Sequence, residues 1–236
     1  MQEFRGKLIE RIERTSNVES FRFALKEKLD FLPGQFVQVI FDEKDRKNGA
    51  LNKYLSFSCA SGKDYIEVTK KISESKFSDK LDSLKVGKEV LFKGPMGKCV
   101  FNPAHPKIGF LVGGIGVTPA ISIIEHIALQ KLPTNVVMVY SNWTVADIAF
   151  KEELADWEHE NQNIKIIHSV VSEKPKDDKI YTGMITKDLI LQTVEDYKDR
   201  VWFIFGPPAM VTAMQMVCKN LNLGDERLMI ETFMGY

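Results

Sequence analysis

The residues with the clearest chemical potential lie in one stretch, Ile108-Gly109-Phe110-Leu111-Val112-Gly113-Gly114-Ile115-Gly116-Val117-Thr118-Pro119. A short apolar run of buried-strand length breaks into glycines and then into a threonine-proline pair. Glycine lets the backbone take positive φ and approach a ligand closely. Thr118 followed by Pro119 predicts a helix start, with Thr118 as cap and Pro119 where a missing N–H costs nothing. The helix, Ala120 to Lys131, then aims its unpaired N–H groups and positive dipole end at the glycine loop, which is how such loops cradle a pyrophosphate. Gly114-x-Gly116 supplies two glycines of a dinucleotide fingerprint, Pro119 stands where the third belongs, and no acidic residue ends the next strand, Val136 to Tyr140, which runs into Ser141-Asn142-Trp143. Taken alone, the loop reads equally as a glycine turn without a ligand.

Other chemistry is scarce. Cys59, Cys99 and Cys218 are far apart, with no C-x-x-C pair, and read as buried thiols of a reducing compartment. Three cysteines do not make the four-cysteine ligand set of an iron-sulfur cluster. His105, His126, His159 and His168 show no ligand spacing and are expected to be structural. The 32 basic and 32 acidic residues cancel, which gives no electrostatic reason to expect nucleic acid or an anionic membrane as partner. No signal-peptide-like apolar segment opens the chain and no run is long enough to span a membrane, so a cytoplasmic protein is expected.

The elements that must position the loop change character midway along the 236 residues. Up to about residue 103, short strands alternate with turns: Phe4 to Ile12, Val18 to Leu25, Gln35 to Phe41, Tyr54 to Ser58, Tyr65 to Lys71 and Glu89 to Lys93. Six such strands suggest an antiparallel barrel, with a short helix in Ser73 to Lys85. After Asn102-Pro103-Ala104-His105-Pro106, apolar strands at 108–112, 136–140, 164–171, 201–205 and 228–230 alternate with helices near 119–131, 147–160, 186–194 and 208–221. That is a parallel α/β pattern. The expected domains are therefore 1–103 and 104–236, and Glu173 to Lys179 reads as a solvated loop.

Five stretches in this order resemble the ferredoxin-NADP reductase superfamily of flavoproteins. They are Pro33-Gly34-Gln35-Phe36, Lys53-Tyr54-Leu55-Ser56, Gly94-Pro95-Met96-Gly97, the glycine loop with its G-G-x-G-x-T-P, and Gly206-Pro207-Pro208-Ala209-Met210. The resemblance implies an N-terminal antiparallel six-stranded flavin-binding β-barrel followed by a parallel α/β NAD(P)-binding domain. It also implies FAD as cofactor and NAD(P)H as co-substrate, with hydride passing between them and electrons leaving to a separate acceptor such as ferredoxin or an iron-sulfur subunit.

By the same resemblance, Lys53, Tyr54, Leu55, Ser56 and Ser78 hold the flavin, with Ser56 near its reactive nitrogen. Gly113, Gly114, Gly116, Thr118, Ser141, Asn142, Gly206, Pro207, Pro208 and Met210 hold the dinucleotide. Phe233 or Tyr236 brings an aromatic ring onto the flavin face. Four residues depart from the family pattern: Lys53 replaces arginine, Leu55 replaces tyrosine, Ser75 replaces glycine and Phe205 replaces cysteine. Lysine offers a point charge rather than a bidentate fork. Ser75 loosens the expected pyrophosphate clamp, which leaves FMN open beside FAD, and a plain helix cap is the other reading of Ser78. With these departures, the rival functions are a non-catalytic electron-transfer or scaffold subunit and a nucleotide-binding sensor. Neither arginine nor an acid follows the second strand of the α/β half, so the preference between NADH and NADPH leans only weakly to NADH.

Overall fold

The computed structural model describes residues 2–233. The chain divides into two compact units, Met1–Phe101 with Ile121–His126, and Asn102–Ala120 with Ile127–Tyr236.

The first unit is built on β1 (Gln2–Thr15), β2 (Val18–Leu25), β3 (Phe36–Ile40), β4 (Asn52–Ser56), β5 (Tyr65–Lys71) and β6 (Glu89–Met96), with α1 (Lys76–Asp82) between the last two. They form one antiparallel sheet in the order β4-β3-β6-β1-β2-β5. Period-two alternation drives it. In β2, Phe21 and Phe23 are fully buried with Arg22 between them, and Ile66 and Val68 do the same in β5. These side chains meet Phe57, Phe77 and Phe92 in one apolar core. Just past the edge strand β4, Phe57 forms an antiparallel bridge to Val68 of the other edge strand, β5. The strand expectations hold to within a few residues. The helix is shorter than Ser73 to Lys85 because Ser75, in extended backbone, caps it by accepting from the Ser78 N–H.

The second unit is a six-stranded parallel sheet ordered β10-β9-β8-β7-β11-β12. Its strands are β7 (Lys107–Gly113), β8 (Asn135–Asn142), β9 (Ile164–Val170), β10 (Tyr181–Thr182), β11 (Val201–Gly206) and β12 (Leu228–Thr232). Its helices are α2 (Thr118–Leu129), α3 (Lys151–Glu160), α4 (Lys187–Thr193) and α5 (Pro208–Asn220). The strand order reverses between β7 and β11, and in open parallel sheets ligands bind at the carboxyl ends of the strands flanking such a reversal. The loops after β7 and β11 are the glycine loop and the Gly206-Pro207-Pro208 turn, so topology brings the two motifs together.

Two expectations need correcting here. The helix expected from 147 begins at Lys151, because Asp147 closes a capping box with Thr144 around a 3-10 turn, and Phe150 then takes a left-handed φ of 58°. Thr118 is not an extended cap. It is already helical, at φ −53°, and its hydroxyl donates back to the Ile115 carbonyl at 3.2 Å, because a 3-10 turn, Gly114–Val117, starts the helical winding four residues earlier. Among the described residues no helix is long and apolar enough to cross a membrane.

Candidate functional site

The three glycines of the β7 loop serve different ends. Gly113 is extended, and a Cβ there would collide with the Met210 sulfur. Gly114 is the one at positive φ, +50°, and a Cβ on it would meet nothing within 4 Å, so its turn opens onto free space. A Cβ on Gly116 would stand 2.8 Å from both the Gly206 Cα and the Phe205 carbonyl oxygen, backbone that has no rotamer to escape into. The sequence did not mark Tyr140, which is fully buried and donates its hydroxyl to the Gly114 carbonyl at 3.2 Å. Because the peptide is trans and planar, that bond turns the Ile115 N–H the opposite way. The turn is thus held with donors outward, at the start of a helix, and it fits a phosphate.

Across the switch point, α5 starts with Pro208 in its first turn, and the Met210 sulfur packs 3.0 Å from where a Gly206 Cβ would be. Met210 therefore wedges between the Gly113 and Gly206 turns. The Phe233 N–H donates to the Gly206 carbonyl at 3.0 Å, and its ring stacks on Phe205 with centroids 6.4 Å apart and planes 19° apart. Phe205, where the family pattern has cysteine, is fully buried and continues through Phe203 and Phe110 as an aromatic run. Glu231 pairs with Phe205 on the neighbouring strand, and burial pushes its carboxyl up to about 7. Tyr236 lies outside the described residues.

At the carboxyl end of β8, Ser141 is half-buried and the Trp143 ring is exposed. Asn142 is 4% exposed and turns inward beside the Tyr140 hydroxyl, on the same face of the strand. What sequence reasoning missed is an acid from elsewhere. Glu173 accepts from the Val145 N–H at 2.6 Å, and the Asp147 carboxylate accepts from the Thr144 N–H and hydroxyl at 3.0 and 2.6 Å. Two carboxylates therefore border this turn, and Glu173 belongs to the segment expected to be a solvated loop.

In the first unit, β4 alternates Lys53 half-buried, Tyr54 exposed and edge-on to Phe36, Leu55 half-buried against the core, and Ser56 buried. Tyr54 thus faces the other way from Leu55, as strand alternation expects. On the opposite edge strand, Lys70 is 7% exposed, with its ammonium 2.6 Å from the Lys71 carbonyl. Burial, then the charges of Lys53 and Lys71, hold its pKa below the ordinary lysine value. Lys53, Lys70 and Lys71 thus bring positive charge to the seam between β4 and β5, which suits a phosphate group. Nothing in the sequence pattern had singled out Lys70. Ser78 is fully buried, and its hydroxyl accepts from the Ser73 N–H at 3.2 Å and from the Ser75 hydroxyl at 3.0 Å, which makes it a member of the helix cap. The three cysteines are buried, and burial raises the Cys218 thiol to about 11.

Comparison with known proteins agrees with this geometry. Residues 5–101 match the oxidoreductase FAD-binding domain family, and residues 110–216 match the oxidoreductase NAD-binding domain family. The chain is 30% identical over 239 residues to NADH-cytochrome b5 reductase 1 of Dictyostelium discoideum, covering 96% of this chain and 81% of that protein. It is 29% identical over 229 residues to NADH-cytochrome b5 reductase 1 of Scheffersomyces stipitis, covering 93% and 79%. Among solved structures, the cytochrome b5 reductase domain of Ulva prolifera nitrate reductase superposes with a TM-score of 0.83 at 20% identity, covering 98% of this chain and 97% of that one. A ferredoxin NADP+ reductase from Neisseria gonorrhoeae superposes with a TM-score of 0.82 at 16% identity, covering 98% and 99%. A glycine turn at the switch point of a parallel sheet, an antiparallel unit with cations at its seam, and matched FAD- and NAD-binding domains place the chain in the ferredoxin-NADP reductase superfamily, as an NAD(P)H-dependent flavoprotein reductase that uses FAD.

Proposed function

We propose that this reductase draws its electrons from NADH and delivers them to a small haem protein of the cytochrome b5 kind. FAD, when bound, accepts the hydride of the nicotinamide and gives up its two electrons one at a time. In this reading residues 1–103 form the flavin domain. Lys53 and Lys70 meet the flavin phosphates, Leu55 gives the ring an apolar contact, and Ser56 offers it a hydroxyl. Residues 104–236 form the nucleotide domain. There the Gly113, Gly114, Gly116 and Thr118 turn receives the dinucleotide pyrophosphate, Ser141 borders the adenosine, and Gly206, Pro207 and Pro208 line the nicotinamide end. Met210 holds the two turns in place from behind, and the Phe233 ring covers Phe205 until nicotinamide arrives.

The observation that carries the donor choice is the pair of carboxylates, Glu173 and Asp147, at the turn after β8. An acid near the adenosine ribose hydrogen-bonds a free 2′-hydroxyl and repels a 2′-phosphate. The acceptor is supported by the relatives named for cytochrome b5, which favour haem over ferredoxin or an iron-sulfur subunit. The test is steady-state turnover with NADH and NADPH against cytochrome b5 and ferredoxin in parallel. NADH with cytochrome b5 is the expected best pair, and Glu173→Ala should narrow the NADH preference by about tenfold, the effect of one charge-assisted hydrogen bond. Equal kcat/KM for both nucleotides in the unaltered protein would remove the basis for the donor assignment.

A further inference from the structure

The first unit holds a buried polar network that no step above uses. On β2 and β5, the side chains turned away from the apolar core include Ser20, Arg22, Glu67 and Thr69, and the register sets Ser20 opposite Thr69 and Arg22 opposite Glu67. Side chains on that face ordinarily meet water. Here Ser20 is fully buried, Glu67 is 2% exposed and Thr69 3%. Part of the cover is the stretch that follows the Lys53–Ser56 motif, namely Ser58 and Cys59, joined by Arg14 from β1.

The hydrogen bonds close into a ring. One Glu67 oxygen accepts from the Ser58 hydroxyl at 3.1 Å and from the Arg14 guanidinium at 3.2 Å, and the other accepts from Arg22 at 2.7 Å. The Ser58 and Thr69 hydroxyls pair at 2.7 Å, those of Thr69 and Ser20 at 2.6 Å, and Arg14 Nε donates to Ser20 at 2.8 Å. The backbone repeats the grip: the Ser58 N–H donates to the Glu67 carbonyl at 2.9 Å, and the Glu67 N–H donates to the Cys59 sulfur at 3.1 Å. Apolar packing would close two strands at lower desolvation cost than a buried carboxylate, so such a group is more readily explained by what it orients than by stability.

We propose that Glu67 is a positioning residue for the flavin. By clamping Ser58 and Cys59 it fixes the chain as it leaves β4, and with it the Ser56 hydroxyl two residues upstream. The inference rests on the assignment of Ser56 to the flavin site made above.

The test compares Glu67→Gln, Ser58→Ala and Ser56→Ala in the full chain, reading the FAD dissociation constant, the visible circular dichroism of bound FAD and the melting temperature. Ser58→Ala removes the side-chain link between Glu67 and the motif while sparing the two arginine contacts and the backbone bonds, so it decides the matter even if Glu67→Gln does not fold. The expected result is that Ser58→Ala and Glu67→Gln weaken FAD about tenfold, as one lost hydrogen bond does, and shift the flavin dichroism in the same sense as Ser56→Ala. A lowered melting temperature with unaltered FAD affinity and dichroism would make the network purely structural and overturn the inference. If Ser56→Ala itself leaves both flavin readouts unchanged, the assignment of Ser56 fails and the inference falls with it. If only Ser56→Ala moves them, the inference alone fails.

Discussion

Gly116→Ala is the most demanding perturbation of the nucleotide turn. The added carbon would lie 2.8 Å from the Gly206 Cα and from the Phe205 carbonyl oxygen, and 3.1 Å from the Phe205 carbonyl carbon. Carbon atoms rest near 3.5 Å apart at closest comfort, so one turn must retreat by about 0.7 Å. Overpacking of this kind costs about 1–3 kcal/mol, and the retreat separates the two turns between which the dinucleotide is proposed to lie. If the full cost falls on binding, NADH affinity drops about 5- to 150-fold, while FAD, assigned to the other unit, stays bound. Gly114→Ala is the control. Its Cβ meets no protein atom, so within the fold only the left-handed backbone, about 1–2 kcal/mol, acts against it. The assay is anaerobic stopped-flow reduction over a range of NADH concentrations, with the flavin-to-protein ratio measured beside it. A Gly116→Ala protein with unaltered NADH affinity and melting temperature would refute the close-packing argument.

Three further outcomes follow from the geometry. Lys70→Met should weaken FAD about 10- to 100-fold, the range for a hydrogen bond to a charged group, as read by fluorescence titration; an unaltered dissociation constant would remove Lys70 from the flavin site. Phe233→Ala removes a ring stack worth about 0.5–1.5 kcal/mol and should tighten NADH about 2- to 10-fold, since no ring then has to move; unaltered or weaker binding would sink the covering role. The Glu231 carboxyl has its pKa raised from 4.5 to about 7 in the fold, so the folded state holds the extra proton between those values. Its contribution to stability is complete below pH 4.5 and is lost as pH rises through 7. The melting temperature of Glu231→Gln should therefore gain on that of the unaltered protein from pH 5 to pH 8, and parallel curves would contradict the burial argument.

Much of this was legible in the chain because the signals are local. Alternation in Val18–Leu25 and Tyr65–Lys71 fixes which side chains enter the core, and the run Gly113 to Pro119 has the composition of a turn that opens a helix. The fold class of each half then follows from which segments are short strands joined by turns and which alternate with helices. What escaped depends on register between distant segments. Glu173 reaches Val145 across 28 residues only because β8 and β9 run side by side, with Asn142 opposite Val170. Lys70 looks like one of two solvated lysines until β5 is placed at the sheet edge that meets the end of β4. Tyr140 reads as a core residue, and its hydroxyl matters only because the Gly114 carbonyl lies 3.2 Å away. Strand alternation sets Asn142 on the Tyr140 side of β8, a placement that needs the register of the sheet to be known.

The central claim is that this chain binds FAD and reduces it with NADH. The most direct measurement is the visible spectrum of the FAD-loaded protein under anaerobic titration with NADH and, separately, with NADPH. Loss of the flavin bands at about one equivalent of NADH, with a much weaker response to NADPH, is the predicted result, since one hydride carries the two electrons that FAD accepts. Flavin bands that persist with both nucleotides would contradict it.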